Sequence, residues 1–124
     1  MMSKKVMIID DDKELLSELE DSLDANGYET TAVNDVRSVV DLAILNHPDV
    51  ILMDLKMPGK SGFELADEIS RISTLENIPV IAMSAFFRED FKSLMNLCGI
   101  KKCLKKPFPV SDAISAIESL VSKK

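Results

Sequence analysis

The sequence predicts an α/β domain in which five parallel strands, wound in the order 2-1-3-4-5, are covered on both faces by five helices. Two observations carry this. Short apolar runs of strand length alternate along the chain with segments of helical periodicity. The connections between them are short, without repeats, low-complexity tracts or Gly/Ser linkers, and the 124 residues match the size of one domain. Strict alternation with right-handed crossovers puts helices on both sides of a parallel sheet.

The first strand is expected over 6–9, VMII, and the third over 50–53, VILM, both apolar throughout as a strand buried on two faces must be. The fourth is expected over 78–83. The second, 28–33, and the fifth, 101–104, carry polar residues or lysines that suit the edges of a sheet. Of the helices, the first presents Leu15, Leu16, Leu19 and Leu23 on one face and stops at Gly27. The second presents Val36, Val39, Val40, Ala43 and Ile44; the third Leu65, Ala66, Ile69 and Ile72. The fourth presents Phe91, Leu94, Met95 and Cys98, and the fifth Val110, Ala113, Ile114, Ile117 and Val121.

Bulk properties narrow the function. Hydrophobic residues make up 46% and charged residues 29%, an ordinary globular balance. Fifteen basic against twenty-one acidic residues give a net charge of -6, which repels a nucleic-acid duplex and argues against direct nucleic-acid binding. Cys98 and Cys103 match no zinc or redox spacing, the opening MMSKKV is no signal peptide, and no apolar stretch reaches bilayer length. A cytoplasmic protein with reduced thiols is expected, without membrane insertion, as a single domain over 1–124 with no output domain. His47 is expected exposed at a helix end and Cys98 in the core.

In doubly wound sheets function collects beyond the carboxyl ends of the strands, where the strand order reverses. Asp10, Asp11 and Asp12 follow the first strand, Asp54 the third, Ser84 the fourth, and Lys106 with Pro107 the fifth. Alone, the aspartate run reads best as a solvated loop or a helix cap. With Asp54, Ser84 and Lys106 on the same rim, it becomes a cluster of charge that calls for a cation and an anion. Magnesium takes oxygen ligands from one or two carboxylates plus phosphate oxygens, and a carboxylate can attack phosphorus to form an acyl phosphate. Asp54, alone on a central strand, is the candidate nucleophile, with Asp10 and Asp11 as metal holders. Ser84 can donate a hydrogen bond to a phosphoryl oxygen, and Lys106 can neutralise another. Asp12 is assigned to capping the helix that begins at Lys13, with Asp11 and Glu14 as an alternative capping box.

The acidic pair Asp10 and Asp11, Asp54 in MDLKMPGKSG, Ser84 in MSA, and KKPF with Lys106 and Pro107 together resemble the receiver domain of two-component response regulators, of CheY-like, flavodoxin-like fold, over the whole chain. The resemblance implies phosphorylation of Asp54 by a sensor histidine kinase or histidine phosphotransfer protein, with Mg2+ held by Asp11, Asp54, the backbone carbonyl of Lys56 and, mainly through water, Asp10. It implies that Ser84 moves toward the phosphoryl group and that the Lys106-Pro107 bond is cis. It implies further a switch, not an enzyme with a released product, that assists its own phosphotransfer and dephosphorylation. Its downstream protein partner would be engaged through the fourth helix, fifth strand and fifth helix.

This chain departs from the family pattern in one respect: Cys103 stands three positions before the lysine, where an aromatic ring is usual, so the ring-based switch is in doubt. Phe86, Phe87 or Phe91 is the alternative moving group, against plain packing roles. Lys56 and Phe86 flank the path of the hydrolytic water in this family, which suggests slow loss of the phosphoryl group. Lys101, Lys102 and Lys105 read as lysines that guard a sheet edge or, more sharply, as a basic docking strip. Three rival readings fit the residues less well. A haloacid dehalogenase-type phosphatase needs an aspartate two positions after the nucleophile, where Lys56 stands. A flavodoxin-like mononucleotide binder cannot cradle phosphate on DDDKE. A receiver-like docking module without phosphorylation is disfavoured by the intact site.

Overall fold

The computed structural model describes residues 3–86, 88–89 and 91–121. Strands and helices alternate as β1 (Lys5–Ile9), α1 (Lys13–Ala25), β2 (Glu29–Val33), α2 (Val36–Asn46), β3 (Val50–Asp54), α3 (Gly62–Ser70), β4 (Val80–Ser84), α4 (Phe91–Leu97), β5 (Ile100–Lys105) and α5 (Val110–Val121). All strand pairs are parallel and the sheet runs β2-β1-β3-β4-β5, as the alternation of apolar runs and amphipathic segments requires.

Strand periodicity divides the core in two. Met7, Ile9, Ile51, Met53 and Ala82 face Val39 and Ala43 of α2, Leu65 and Ile69 of α3 and Met95 of α4. The alternate residues Val6, Ile8, Leu52 and Ile81 face Leu16, Leu19 and Leu23 of α1 and Ile117 of α5. Burying each large aliphatic side chain contributes on the order of 1.5–3 kcal/mol, so the helices are fastened chiefly through these stripes. Local signals set the helix ends. Asp12 caps α1 by accepting hydrogen bonds from the amides of Glu14 and Leu15, and the chain leaves α1 through Gly27 at φ 91°. Ser61 and Glu64 form a reciprocal capping box on α3.

Several expected boundaries and faces differ. The fourth strand begins at Val80: Ile78 belongs to a turn closed by its amide on the carbonyl of Leu75, and Pro79 has no N–H for the ladder. α3 stops at Ser70 with Arg71 as its C-cap, so Ile72 packs on the core from the following turn. Ile44 and Leu94, placed by periodicity on buried faces, are exposed because α2 and α4 each rest on the sheet along a narrow stripe. β5 contains an irregularity, since Val80 pairs with Ile100 but Ile81 with Lys102, leaving Lys101 as the extra residue. His47 is exposed at the end of α2 in a left-handed conformation, its Nε2 2.9 Å from the carbonyl oxygen of Thr74. Cys98 is buried and both cysteines are free. Phe87 lies outside the described residues. No described helix is long and apolar enough to cross a membrane.

Candidate functional site

The carboxyl ends of β1, β3, β4 and β5 converge where the strand order reverses. β1 and β3 run side by side, with Ile9 opposite Met53, so the residues that follow them, Asp10 and Asp54, emerge at one level. Register carries the site onward: Asp54 lies opposite Met83, the amide of Leu55 donates to the carbonyl of Met83, and the amide of Lys106 donates to the carbonyl of Ser84. Asp10, Asp11, Asp54, Ser84 and Lys106, all singled out in the sequence, are thereby gathered on one rim. Lys106-Pro107 is cis.

Asp10 is completely buried, and Asp54 and Ser84 are nearly so; Asp11 is exposed. Lys106 joins the two buried carboxylates, its Nζ 2.7 Å from Oδ2 of Asp10 and 3.1 Å from Oδ1 of Asp54. The other oxygen of Asp10 accepts from the amide of Asp12 at 3.0 Å, which ties this buried carboxylate to the start of α1. The aspartate run thus divides: Asp10 points inward, and Asp12 caps the helix.

The electrostatics follow from burial. Desolvation, reinforced by the negative charge of Asp10, holds the Asp54 carboxyl above the ordinary carboxylate range despite the opposing pull of Lys106. For Lys106, desolvation favours the neutral amine, but the hydrogen bond and charge of Asp10, together with Asp54, overcome it and leave the ammonium held above its usual range. Carboxylate oxygens of Asp10, Asp11 and Asp54 all lie within 4.8 Å of one another. Three carboxylates against one ammonium leave excess negative charge around hard oxygen donors, a donor set that fits a magnesium ion.

Ser84 is committed elsewhere in this conformation. Its Oγ donates to the carbonyl oxygen of Phe86 at 2.9 Å and accepts from the Phe86 amide at 3.1 Å, closing a small turn at the head of the β4–α4 loop. Phe86 itself is 73% exposed, and Lys56 is exposed in the turn after β3. Cys103 is half-buried on β5 and packs against the core cluster that includes Met95 of α4. Phe91 is held edge-on to Phe63 with ring centres 5.5 Å apart, and Arg88 lies over its face.

Gly62 was not singled out by sequence reasoning. A Cβ there would stand 2.6 Å from the carbonyl oxygen of Asp54 and 2.7 Å from Cα of Leu55. The first turn of α3 is therefore laid directly on the backbone that carries Asp54, an approach open only to glycine. The one available signal was the glycine after Ser61 in the phosphoacceptor stretch, whose significance depends on a packing distance.

A doubly wound sheet with an acidic cluster, a hydroxyl and a lysine at its switch point defines a signalling receiver. The response regulator receiver domain family matches residues 6–118, and the chain belongs to that family. It is 35% identical over 118 residues to the polar-differentiation response regulator DivK of Brucella ovis, covering 95% of this chain and 96% of that protein. It is also 35% identical over 123 residues to the transcriptional regulatory protein PdtaR of Mycobacterium tuberculosis, covering 97% of this chain and 58% of that longer protein. Among solved structures, the chemotaxis protein CheY4 of Vibrio cholerae shares the fold with a TM-score of 0.92 at 24% identity, over 96% of this chain and 99% of that one.

Proposed function

We propose that this receiver domain is a phosphorylation-controlled switch in which Asp54 accepts a phosphoryl group from a phosphohistidine of a sensor kinase or phosphotransfer protein. The observation that carries the reading is the bridge from Lys106 to Asp10 and Asp54, which sets a cation 3.1 Å from the buried carboxylate that closes central strand β3. A carboxylate oxygen of Asp54 forms the new bond to phosphorus as the bond to the histidine nitrogen breaks. The ammonium of Lys106 then has a phosphoryl oxygen to pair with in place of the Asp54 carboxylate, keeping a buried charge matched.

Asp10, Asp11, Asp54 and the main-chain carbonyl of Lys56 are the residues that would hold Mg2+. Bound there, the metal neutralises the charge that otherwise keeps phosphoryl oxygens away from an acidic cluster. Ser84 serves as the reporter. To donate to a phosphoryl oxygen its hydroxyl must leave the carbonyl of Phe86, and that release alters the β4–α4 loop and the surface of α4, β5 and α5 on which a downstream protein would dock. With Cys103 in place of a ring, the main chain at Phe86 is the moving part. The exposed side chains of Lys56 and Phe86, in the segments that follow β3 and β4, shield the acyl phosphate and slow its hydrolysis.

A haloacid dehalogenase-type phosphatase is disfavoured because Lys56 stands where its general acid must be. Incubation with acetyl phosphate and Mg2+, followed by intact mass, tests the reading: one phosphoryl adduct is expected, absent without the metal and absent in Asp54→Ala. No adduct, or one that survives in Asp54→Ala, would contradict it.

A further inference from the structure

β5 is an edge strand, paired only with β4, and a cleft opens on each side of it. The cleft toward α4, about 420 Å³, is lined by Lys92, Lys101, Lys102 and Lys105 over a floor that includes Met95 and Cys103, with no carboxylate in its lining. Lys92 pairs with Glu89, but Lys101, Lys102 and Lys105 make no ion pair with any described residue. The cleft toward α5, about 440 Å³, is lined by Lys102, Cys103, Leu104 and the small or polar residues Asp112, Ser115, Ala116 and Ser119. In a chain of net charge -6, the positive charge here is concentrated along one open strand.

We propose that the outer edge of β5 takes an extended acidic segment of a partner protein, added to the sheet as a further strand. An added strand places alternate side chains on opposite faces, so one set would enter the lysine-lined cleft and the other the cleft beside α5. Charge complementarity makes the first set carboxylates, with a medium-sized apolar residue over Met95 and Cys103. The polar lining of Asp112, Ser115 and Ser119 toward α5 makes the second set polar. The irregularity at Lys101 leaves 102–105 as the regular ladder available for pairing. The lysines also oppose pairing with a second copy of this chain, whose edge carries the same charges, so they select a partner while blocking self-association. A polynucleotide fits poorly because its charge extends beyond the cleft onto an acidic body.

The proposal rests on the switch reading for the need of a partner and shares its docking surface of α4, β5 and α5, adding the occupant's chemistry and strand pairing; unphosphorylated protein is used so that its failure leaves phosphorylation of Asp54 untouched. Backbone amide resonances of the full chain are followed during titration with a short alternating Glu–Val peptide. Shifts centred on Lys102, Cys103, Leu104 and Lys105 are expected, with affinity falling roughly tenfold in Lys101→Glu/Lys105→Glu and lost when the peptide amides are N-methylated. Equal shifts from a Lys–Val peptide or a thymidine oligonucleotide would overturn it. So would perturbation only elsewhere, undiminished binding by the charge-reversed variant, or undiminished binding of the N-methylated peptide. Unchanged amide spectra for the variant away from β5 establish that it is folded.

Discussion

Gly62 lies against the main chain of Asp54 so closely that an added Cβ would meet the Asp54 carbonyl oxygen at 2.6 Å. The atoms in the way are backbone, so they cannot swing aside as a flexible side chain does. Gly62→Ala is expected to destabilise the domain by about 1–3 kcal/mol, the usual range for overpacking, and to slow phosphorylation by displacing the strand end that carries Asp54. Denaturant unfolding and the rate of adduct formation with acetyl phosphate measure the two effects. Unchanged stability would mean that α3 can shift away without consequence.

The Asp54 carboxyl is held above its ordinary range, first by burial and then by Asp10. A raised carboxyl favours the folded state fully below the ordinary carboxylate range, and that contribution is lost as pH rises through the folded pKa. At neutral pH the buried charge therefore weighs against folding. Asp54→Asn is expected to be more stable than the parent at neutral pH in the presence of a chelator, with the difference shrinking toward acid pH. Saturating Mg2+ is expected to stabilise the parent more than the variant, because the metal binds only the folded site. Thermal unfolding across pH, with and without Mg2+, reads all three. A gain that grows toward acid would refute the sign.

Asp11 and Asp12 are neighbours with different work. Asp12 accepts from the amides of Glu14 and Leu15, while Asp11 is the exposed member of the carboxylate cluster. Asp11→Asn is expected to abolish Mg2+-dependent phosphorylation with little change in stability. Asp12→Asn keeps a capping side chain and is expected to spare both; Asp12→Ala loses the cap, about 1 kcal/mol, but still becomes phosphorylated. Equal losses of phosphorylation at both positions would undo this division.

Lys56 and Phe86 are exposed, each two positions beyond a rim residue, Asp54 and Ser84 respectively. If they screen the acyl phosphate, Lys56→Asn/Phe86→Ala is expected to lose its phosphoryl group several-fold faster, a change of about 1 kcal/mol in the barrier. The decay of the adduct followed by intact mass after removal of acetyl phosphate measures this. An unchanged decay rate would leave both as surface side chains without kinetic effect.

Much of the architecture was legible because it depends on neighbours in sequence. VMII and VILM are apolar throughout, as central strands must be, and the polar second strand and lysine-rich fifth strand do occupy the edges. The rim residues Asp10, Asp54, Ser84 and Lys106 were legible for the same reason, since each directly follows, or closes, a strand. What escaped depends on distances between remote segments. The exposure of Ile44 and Leu94 reflects how narrow a stripe of α2 and α4 meets the sheet. The extra residue at Lys101 exists only in the register of β5 against β4, and the role of Gly62 only once α3 meets β3. The hydroxyl of Ser84 turning to the main chain of Phe86 is a choice among rotamers that no pattern of residue types encodes.

Asp54, and no other carboxylate of the cluster, is expected to carry the phosphoryl group. Borohydride reduction of the acetyl phosphate-treated protein, followed by peptide mapping, tests it most directly, because reduction converts an aspartyl phosphate to homoserine and marks the residue. Homoserine is expected at position 54 alone, dependent on Mg2+. Reduction at Asp10 or Asp11, or at no aspartate, would contradict it.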